Sequence, residues 1–305
     1  MALHARLPST GGIGSLVENL LPWCGALVPV LLAGALWRRS AAAVVALVLP
    51  VTVWLSLFGG LLTDRSHPGG DLTVVSHNVD AGNPDPTGTA RELASSGAEL
   101  IALEELTDQA RGTYEKGLAK AYPYHAVRGT VGLWSTLPLS DTRPVNVVRG
   151  DVGPLARTKP AESAAEAADE VRALRTTVAT ARGPLAVYVA HLGSVRVTRG
   201  DGFWTVSRDF GADALAKAIA AEPHQRVVLL GDLNGTTDDR AFHGLTSRLT
   251  SAQKTAGNGF GFTWPASFPI ARIDQVLVRG VRARSSWVLP ETGSDHLPVA
   301  ARIGW

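Results

Sequence analysis

Hydrophobic and polar positions divide the chain into two parts of different character. In the first 65 residues the apolar positions form two long runs, with no Asp, Glu, Lys or Arg at residues 20–37 or 40–63. Each run approaches the ~20 residues that a helix needs to cross a bilayer. From about Leu72 onwards, short apolar runs alternate with helical stretches such as 89–95 and 209–221. This second pattern predicts an α/β domain.

The two apolar runs predict a transmembrane helical hairpin, with helices over about residues 16–37 and 41–62. Arg38 and Arg39 lie between them in a segment so short that it forms a turn at one membrane face. Because cytoplasmic loops are enriched in Lys and Arg, we expect this turn in the cytoplasm and the following domain outside it, in a multi-pass protein of the cell membrane. A cleaved signal peptide with one helix, or three or more spans, are the alternatives. The predicted division is an anchor at 1–66 and a domain at 67–305.

Polar side chains stand where the apolar runs of the domain end. Asp and Asn favour turns for local reasons, but six strand ends that each carry such a residue are hard to explain as six independent turns. Hydrolysis of a phosphate ester needs a divalent cation to offset developing charge, an activated water and a donor to the leaving oxygen. Carboxylate, amide and imidazole groups can meet these needs. The set comprises Asn78, Glu104, Glu105, His191, Asp232, Asn234, Asp274, Asp295 and His296.

In chain order these motifs, Asn, Glu, His, Asp-x-Asn, Asp and Ser-Asp-His, resemble the endonuclease/exonuclease/phosphatase superfamily, also called DNase I-like. The resemblance extends from about Leu72 to Trp305. It implies a four-layer α/β sandwich, in which two mixed β-sheets pack face to face with helices outside, and a metal-dependent hydrolase that acts on phosphate ester bonds. With the predicted hairpin in front, the chain is similar to the membrane-anchored VanJ-type teicoplanin-resistance proteins of bacteria.

The resemblance also implies a metal site. Glu105 matches the main metal carboxylate and Asn78 a second oxygen ligand, for Mg²⁺ or Mn²⁺, and hard oxygen ligands of this kind suit magnesium. Asp295 is expected to touch the metal directly or through water. Glu104 stands where the family usually has Gln. We expect Glu104 outside the metal site, as an acid at a helix start or on the surface.

Five residues match the family's catalytic groups. Asp232 is the expected general base or the partner of a catalytic histidine, and Asn234 is the expected donor to a phosphoryl oxygen. His296 matches the catalytic histidine, and a hydrogen bond from Asp274 would raise its basicity. His191 resembles a second histidine that protonates or stabilises the departing group.

Three further residues are expected to bind substrate. Arg196 follows His191 closely and can hold a phosphate, although a solvated loop position is equally frequent for an arginine. Thr263 and Trp264 precede the Asp274 strand, and in the family this segment commonly borders the active site. The alternative for the tryptophan is the core, where most aromatic side chains lie.

Net charge bears on the substrate. Four of the 29 basic and two of the 27 acidic residues precede His67, which leaves 25 of each sign in the domain. A protein that binds a long polyanion usually carries a basic domain, so nucleic acid is the less favoured partner. Members that cleave abasic DNA usually place a tyrosine in the middle of the domain, where this chain offers Trp134.

The sequence therefore favours a membrane-anchored, magnesium-dependent phosphohydrolase whose partners are the bilayer and a phosphorylated lipid. The substrate implied by the resemblance is a phosphate ester or pyrophosphate of a cell-envelope lipid carrier, which a tethered domain meets at high effective concentration. Two alternatives stay open. One is an extracytoplasmic nuclease or phosphodiesterase that acts on nucleic acid or phospholipid head groups, and the other is a catalytically inactive envelope binding protein.

Overall fold

The structure, a computed structural model, describes residues 10–148, 171–200 and 202–305. An acidic segment at 161–170, whose composition favours a short surface helix or a loop, lies outside the described residues. The helices are α1 Ile13–Leu20, α2 Leu27–Trp37, α3 Ala41–Ala46, α4 Val48–Phe58, α5 Pro86–Ser95, α6 Asp108–Leu118, α7 Val206–Ala220, α8 His243–Thr246 and α9 Ala252–Ala256, with 3₁₀ turns at Thr10–Gly12, Leu21–Ala26, Gly59–Leu62 and Arg240–Phe242.

Two six-stranded sheets and one two-stranded sheet form the β-structure. The strands are β1 Leu72–Asn78, β2 Leu100–Glu104, β3 Tyr124–Arg128, β4 Val131–Ser135, β5 Leu139–Pro144, β6 Ala173–Thr180, β7 Gly183–Ala190, β8 Arg196–Thr198, β9 Gly202–Trp204, β10 Val227–Asp232, β11 Thr250–Ser251, β12 Asp274–Arg279, β13 Arg282–Val288 and β14 Val299–Gly304. The first sheet has the order β13-β14-β1-β2-β4-β3 and the second β11-β12-β10-β7-β6-β5, while β8 pairs with β9. Both large sheets mix parallel and antiparallel pairs.

Three apolar layers hold these elements together. Because successive side chains of a strand point to opposite faces, neighbouring residues supply different layers. Val74 faces the layer between the two sheets, and Val75 faces α5 and α6. In the second sheet Val228 faces the layer between the sheets, and Leu229 faces α7 and α8. The arrangement is helices, sheet, sheet, helices, and the predicted four-layer sandwich is confirmed.

The two N-terminal apolar runs are helical. Residues 13–37 and 41–62 each form a helical stretch that is long and apolar enough to cross a membrane, by length and composition. Arg38 and Arg39 form the turn between them, and Ser40 caps α3 by accepting a hydrogen bond from the Ala43 amide at 3.2 Å. The Trp54 indole donates to the Pro22 carbonyl at 2.9 Å, which joins the two stretches. The chain can therefore form a helical hairpin.

The beginning of the first stretch packs on the α/β domain. The Glu18 carboxylate is fully buried and pairs with Nη2 of Arg240 at 2.8 Å, and the Asn19 Oδ1 accepts from the Thr236 amide at 2.7 Å. A buried charge needs such a partner. Hydropathy places the start of a membrane helix at about residue 16. The structure holds residues 15–19 against the domain, buries Leu21 and joins the Trp23 indole to the Ile270 carbonyl at 2.8 Å, so the apolar stretch that is free of the domain begins no earlier than Cys24.

Candidate active site

The predicted polar residues converge at one edge of the two large sheets. β1 runs parallel to β2 and β7 parallel to β10, so each pair ends at the same edge. β12 and β14 run antiparallel to β10 and β1 and begin there, and Asp232 lies opposite Asp274 in the ladder. The topology thereby assembles Asn78, Glu105, His191, Asp232, Asn234, Asp274, Asp295 and His296.

Three residues at the ends of β2 and β10 have unusual backbone conformations. Gly231 has a φ of 151°, and a Cβ atom there would lie 1.9 Å from the Ala190 carbonyl oxygen, so only glycine allows β10 to approach β7 this closely. Glu105 and Asn234 have φ values of 58° and 53°, in the left-handed region that non-glycine residues seldom adopt. Such conformations concentrate at functional sites, where the surrounding fold enforces them.

An oxygen-rich cluster lies where β1, β2 and β10 end. The Asn78 Nδ2 is 3.0 Å from both Glu105 Oε1 and Asp232 Oδ2, and the Ala81 amide donates to Glu105 Oε2 at 3.1 Å. Burial and the charge of Asp274 raise the pKa of Asp232 to about 7. A divalent cation would supply positive charge here. The Asn78 Oδ1 accepts from the Asp80 amide at 3.0 Å, and a half-turn of the Asn78 amide, which gives up this bond, would present the oxygen to the cation. These residues fit a hard cation such as Mg²⁺.

His296 lies between three carboxylates. Its Nδ1 is 3.1 and 3.0 Å from the two oxygens of Asp274, and its Nε2 is 3.8 Å from both Asp232 Oδ2 and Asp295 Oδ1. Burial alone would lower the pKa of His296, but the charge of Asp274 and the hydrogen bond to it raise the pKa to about 10. His296 is therefore protonated at neutral pH.

A second group of possible metal ligands lies beside the first. Asp232, Asp274 and His296 each offer one ligand atom, and these three atoms lie within 4.8 Å of one another. A protonated imidazole has no lone pair for a metal, and Nδ1 is already held by Asp274. We therefore expect this trio to transfer protons and Asn78 and Glu105 to hold the metal. Asp295 is 58% exposed in its side chain, and its Oδ2 accepts from the Trp264 indole at 3.2 Å, so its contact with the metal stays a prediction.

His191 has a different electrostatic setting. Its Nε2 is 3.5 Å from Glu105 Oε1 and 3.7 Å from Asp232 Oδ2, while the Arg172 Nη2 lies 2.7 Å from both ring nitrogens. Burial and the charge of Arg172 hold the pKa of His191 well below its usual range. A neutral His191 cannot protonate a leaving group at neutral pH. Of the two expected roles, stabilisation by a hydrogen bond is the one that fits.

Arg172 is a site residue that the sequence analysis missed. It precedes β6 and carries no motif of its own, but its carbonyl accepts from the His191 amide at 2.8 Å. Its charge is placed near Glu105 and Asp232, and burial lowers its pKa. Arg196, the arginine that the sequence favours, is exposed on β8 and close enough to Arg172 to influence it.

Asn234 sits beside the carboxylate cluster. Its amide donates to Asp232 Oδ1 at 2.8 Å, and its side-chain Nδ2 donates to the Leu192 carbonyl at 3.0 Å. The side chain also lines the cavity in front of the site. This position is compatible with the predicted contact to a phosphoryl oxygen.

Two expectations from the sequence need correction. Glu104 is fully buried in β2, where Ser76 donates to its Oε1 at 3.0 Å, and it is not a surface or helix-start acid. The first residue of this acidic pair points into the layer between the sheets, where burial and the charge of Asp274 raise the pKa of Glu104 well above its usual range. Thr263 is fully buried, and its hydroxyl accepts from the Ile273 and Asp274 amides at 3.3 and 3.4 Å. It therefore supports the Asp274 strand from behind the cavity.

A cavity of about 490 Å³ opens in front of these residues. One side is polar and the other is apolar. Its polar side contains five of the predicted catalytic and metal residues, and Trp264 lines the rim at 39% exposure. The five are Glu105, Asp232, Asn234, Asp295 and His296, and the apolar lining includes Leu16, Leu20, Val197, Phe203 and Ile270.

Comparison with known proteins agrees with this geometry. Residues 75–296 match the Endonuclease/Exonuclease/phosphatase family. Among solved structures, D. rerio TDP2 complexed with single-strand DNA product is 16% identical with a TM-score of 0.60, over 77% of this chain and 99% of that chain. Sphingomyelinase C from Streptomyces griseocarneus is 18% identical with a TM-score of 0.53, over 76% and 98%.

Beta toxin from Staphylococcus aureus, in a variant solved with bound magnesium ions, is 15% identical with a TM-score of 0.54, over 76% of this chain and 99% of that chain. Curated proteins gave no match to the sequence. At these identities the structural neighbours establish the fold alone, while the family match covers most of the chain and includes the strand-edge residues from Asn78 to His296.

Proposed function

Because the chain belongs to the endonuclease/exonuclease/phosphatase family, whose members are metal-dependent hydrolases of phosphate esters, we propose that it hydrolyses a phosphate ester or pyrophosphate of a membrane lipid, most directly a cell-envelope lipid carrier. The observation that carries the proposal is the convergence of two metal-type oxygen ligands and a His–Asp pair at one sheet edge, in front of a cavity with an apolar side.

Asn78 and Glu105 would hold the metal. When bound, a divalent cation supplies charge that offsets the phosphoryl oxygens and lowers the pKa of a bound water. Asp232, whose pKa of about 7 leaves it partly ionised at neutral pH, accepts the proton of the attacking water. Protonated His296 donates to a phosphoryl or leaving oxygen, and Asp274 fixes its ring through Nδ1.

The remaining residues position the substrate. Asn234 donates to a phosphoryl oxygen from its place beside Asp232, and neutral His191 donates an N–H to the departing oxygen. Arg172 adds a half-buried positive charge beside His191, which favours an anionic substrate. Preorganised donors of this kind are effective because they need no rearrangement during the reaction.

Two features support a lipid as the substrate and a membrane as the setting. The helical stretches at 13–37 and 41–62 are long and apolar enough to span a bilayer, and the positive turn at Arg38 and Arg39 favours an extracytoplasmic domain. The domain at 67–305 has no net formal charge, which does not favour a long polyanion. A multi-pass anchor would keep the site close to lipid head groups.

Phosphate release by the purified, detergent-solubilised protein tests the proposal. Polyprenyl pyrophosphate and a single-stranded DNA oligonucleotide are offered in parallel with Mg²⁺, to the wild type, to His296→Ala and to His243→Ala. His243 is an exposed histidine of α8 and serves as the matched control. We expect release from the lipid by the wild type and the control but not by His296→Ala. Cleavage of the oligonucleotide alone would move the protein to the nucleases.

A further inference from the structure

The N-terminal helix α1 is clamped to the α/β domain by its polar side. Arg208 is fully buried, and its Nη2 donates to Ser15 Oγ at 3.0 Å and pairs with Asp239 Oδ2 at 2.9 Å. Ser15 also donates to Asp239. These contacts, together with the pair between buried Glu18 and half-buried Arg240, span about one helical turn and fix the rotation of α1 about its axis. Buried polar networks of this kind specify position even where they add little stability.

The fixed rotation turns apolar side chains of α1 towards the active site. Leu16 and Leu20 line the cavity that also contains Asp232 and His296, and they are 38% and 40% exposed. Ile13, on the same helix, is 52% exposed and does not line the cavity. One wall of the cavity is therefore supplied by a helix that precedes the catalytic domain in the chain.

A second apolar part of the cavity lining lies beside α1. It comes from Val197 of β8, which is 85% exposed, and from Phe203 of β9, whose backbone packs against Gly12 at the start of α1. Ile270 lines the cavity next to Trp264 at the rim. Exposed aliphatic side chains beside a phosphate-binding site would make no favourable contact with a small, water-soluble phosphate. Nucleic-acid bases would call for aromatic platforms and a basic groove, whereas these walls are mainly aliphatic.

The apolar end of the cavity leads towards the helical hairpin. Trp23 lies three residues after Leu20, donates to the Ile270 carbonyl at 2.8 Å and stacks on Phe262 at 5.6 Å. Next to it, Phe260 contacts Trp54 and Phe58 of α4 at 6.2 and 6.3 Å. Tryptophan and other aromatic residues concentrate where helices leave a bilayer. This aromatic cluster marks the level at which the hairpin would enter the membrane.

We propose that α1 and the β8–β9 pair bind the hydrocarbon chain of the lipid substrate, which extends from the phosphate at His296 between Leu16, Leu20 and Val197 towards the hairpin. α1 is then a specificity-determining part of the site. The inference rests on the proposed function for the hydrolysis, but its binding component can be measured without turnover. Each methylene buried in the cavity is worth about fourfold in binding, and the cavity is of the size that holds a ligand of several hundred Å³.

Kinetic selectivity tests the inference first. We compare kcat/KM for a long-chain lipid phosphate with kcat/KM for a short, water-soluble phosphate ester, in the full-length protein. In Leu16→Ala/Leu20→Ala the ratio of the two is expected to fall at least about tenfold, because several methylene contacts are lost. Ile13→Ala, a matched apolar change on the same helix, is expected to keep the wild-type ratio. An unchanged ratio in the double variant would overturn the inference.

Val197→Ser guards against a folding defect in α1, since this exposed side chain supports no core. Val197→Ser is also expected to lower the ratio of kcat/KM for the long-chain lipid phosphate to kcat/KM for the short ester. The loss of one methylene contact would change the ratio about fourfold. If Val197→Ser and the double variant both keep the wild-type ratio within about twofold, these apolar residues do not bind the hydrocarbon chain.

Photo-crosslinking separates this inference from the proposed function. An alkyl phosphate with a diazirine in its chain is bound to the wild type, irradiated and mapped by mass spectrometry. Labels in residues 13–23 and 196–204 would support the inference. If they appear although no phosphate is released from any substrate, the proposed hydrolysis is wrong while the inference about chain binding stands. Phosphate release from lipid without labels in these segments would contradict the inference alone.

Discussion

The Asp274→Asn substitution tests the assignment of His296 most sharply, because it removes one charge and keeps the shape of the side chain. Asp274 contacts His296 Nδ1 through both oxygens, at 3.1 and 3.0 Å, and its charge is a main cause of the rise in the pKa of His296 from 6.5 to about 10. One pKa unit corresponds to about 1.4 kcal/mol, so the surroundings favour the charged imidazole by something on the order of 5 kcal/mol.

Without this charge, burial is opposed only by the carboxylates of Asp232 and Asp295, each 3.8 Å from Nε2, so we expect the pKa of His296 to fall back towards its ordinary value. The pKa of Asp232 falls as well, since the charge of Asp274 contributes to its rise. Both limbs of the pH–rate profile should therefore move to lower pH. At about pH 8, where His296 of the variant is neutral, we expect kcat/KM to fall about 10²- to 10⁴-fold, the usual contribution of a general acid or base.

The assay is kcat/KM for lipid phosphate hydrolysis between about pH 5 and about pH 10, combined with NMR titration of the His296 ring. Asp213→Asn, on the exposed face of α7 where Asp213 pairs with Lys217, is the control. A variant whose alkaline limb stays at the wild-type pH, or whose His296 still carries two protons above about pH 8, would refute the reasoning.

Three further predictions concern stability, metal and backbone. Glu222→Gln should lower the free energy of unfolding by about 1.5–3 kcal/mol in urea titrations, because buried Arg175 loses a charged partner bound at 2.9 Å through two nitrogens and keeps Asp141, at 2.6 Å, as a charged partner. Since the pKa of Glu222 is lowered by these contacts, the stabilisation in the wild type is present above about pH 4.5 and is lost as the pH falls further, so wild type and variant should converge in acid. Glu105→Gln should raise the half-saturating Mg²⁺ concentration at least about tenfold after removal of metal by EDTA, and an unchanged value would place the metal elsewhere. Gly231→Ala should cost more than about 2 kcal/mol and most of the activity, because its Cβ atom would overlap the Ala190 carbonyl; wild-type melting and activity would argue against this close approach.

The strand-edge residues could be predicted from sequence because β-structure has a simple period. An apolar run of five to eight residues that ends in a polar residue fixes both the strand and the position of that residue at its tip. Asn78 and Asp232 lie at the ends of β1 and β10 as expected. These two strands belong to different sheets, and the face-to-face packing of the sheets brings their tips together, so that the Asn78 Nδ2 lies 3.0 Å from Asp232 Oδ2.

The rest depends on long-range packing that local patterns do not encode. Hydropathy assigns α1 to the membrane, yet Ser15, Glu18 and Asn19 recur at helical spacing and bind the domain more than 190 residues away. The helical spacing of these three polar residues is the sequence feature that could have predicted the packing of α1 on the domain. The burial of Glu104 depends on which of two adjacent acids faces the sheet layer, and Arg172 reaches His191 only through the pairing of β6 with β7.

The most direct test of the account is phosphate release from a long-chain lipid phosphate in proteoliposomes that contain the full-length protein. We predict release that requires Mg²⁺, is abolished in His296→Ala, needs a higher Mg²⁺ concentration in Glu105→Gln, and persists in His243→Ala. Release that persists in His296→Ala, or a wild-type protein that releases phosphate equally without divalent metal, would contradict the assignment of this strand edge as a metal-dependent phosphohydrolase site.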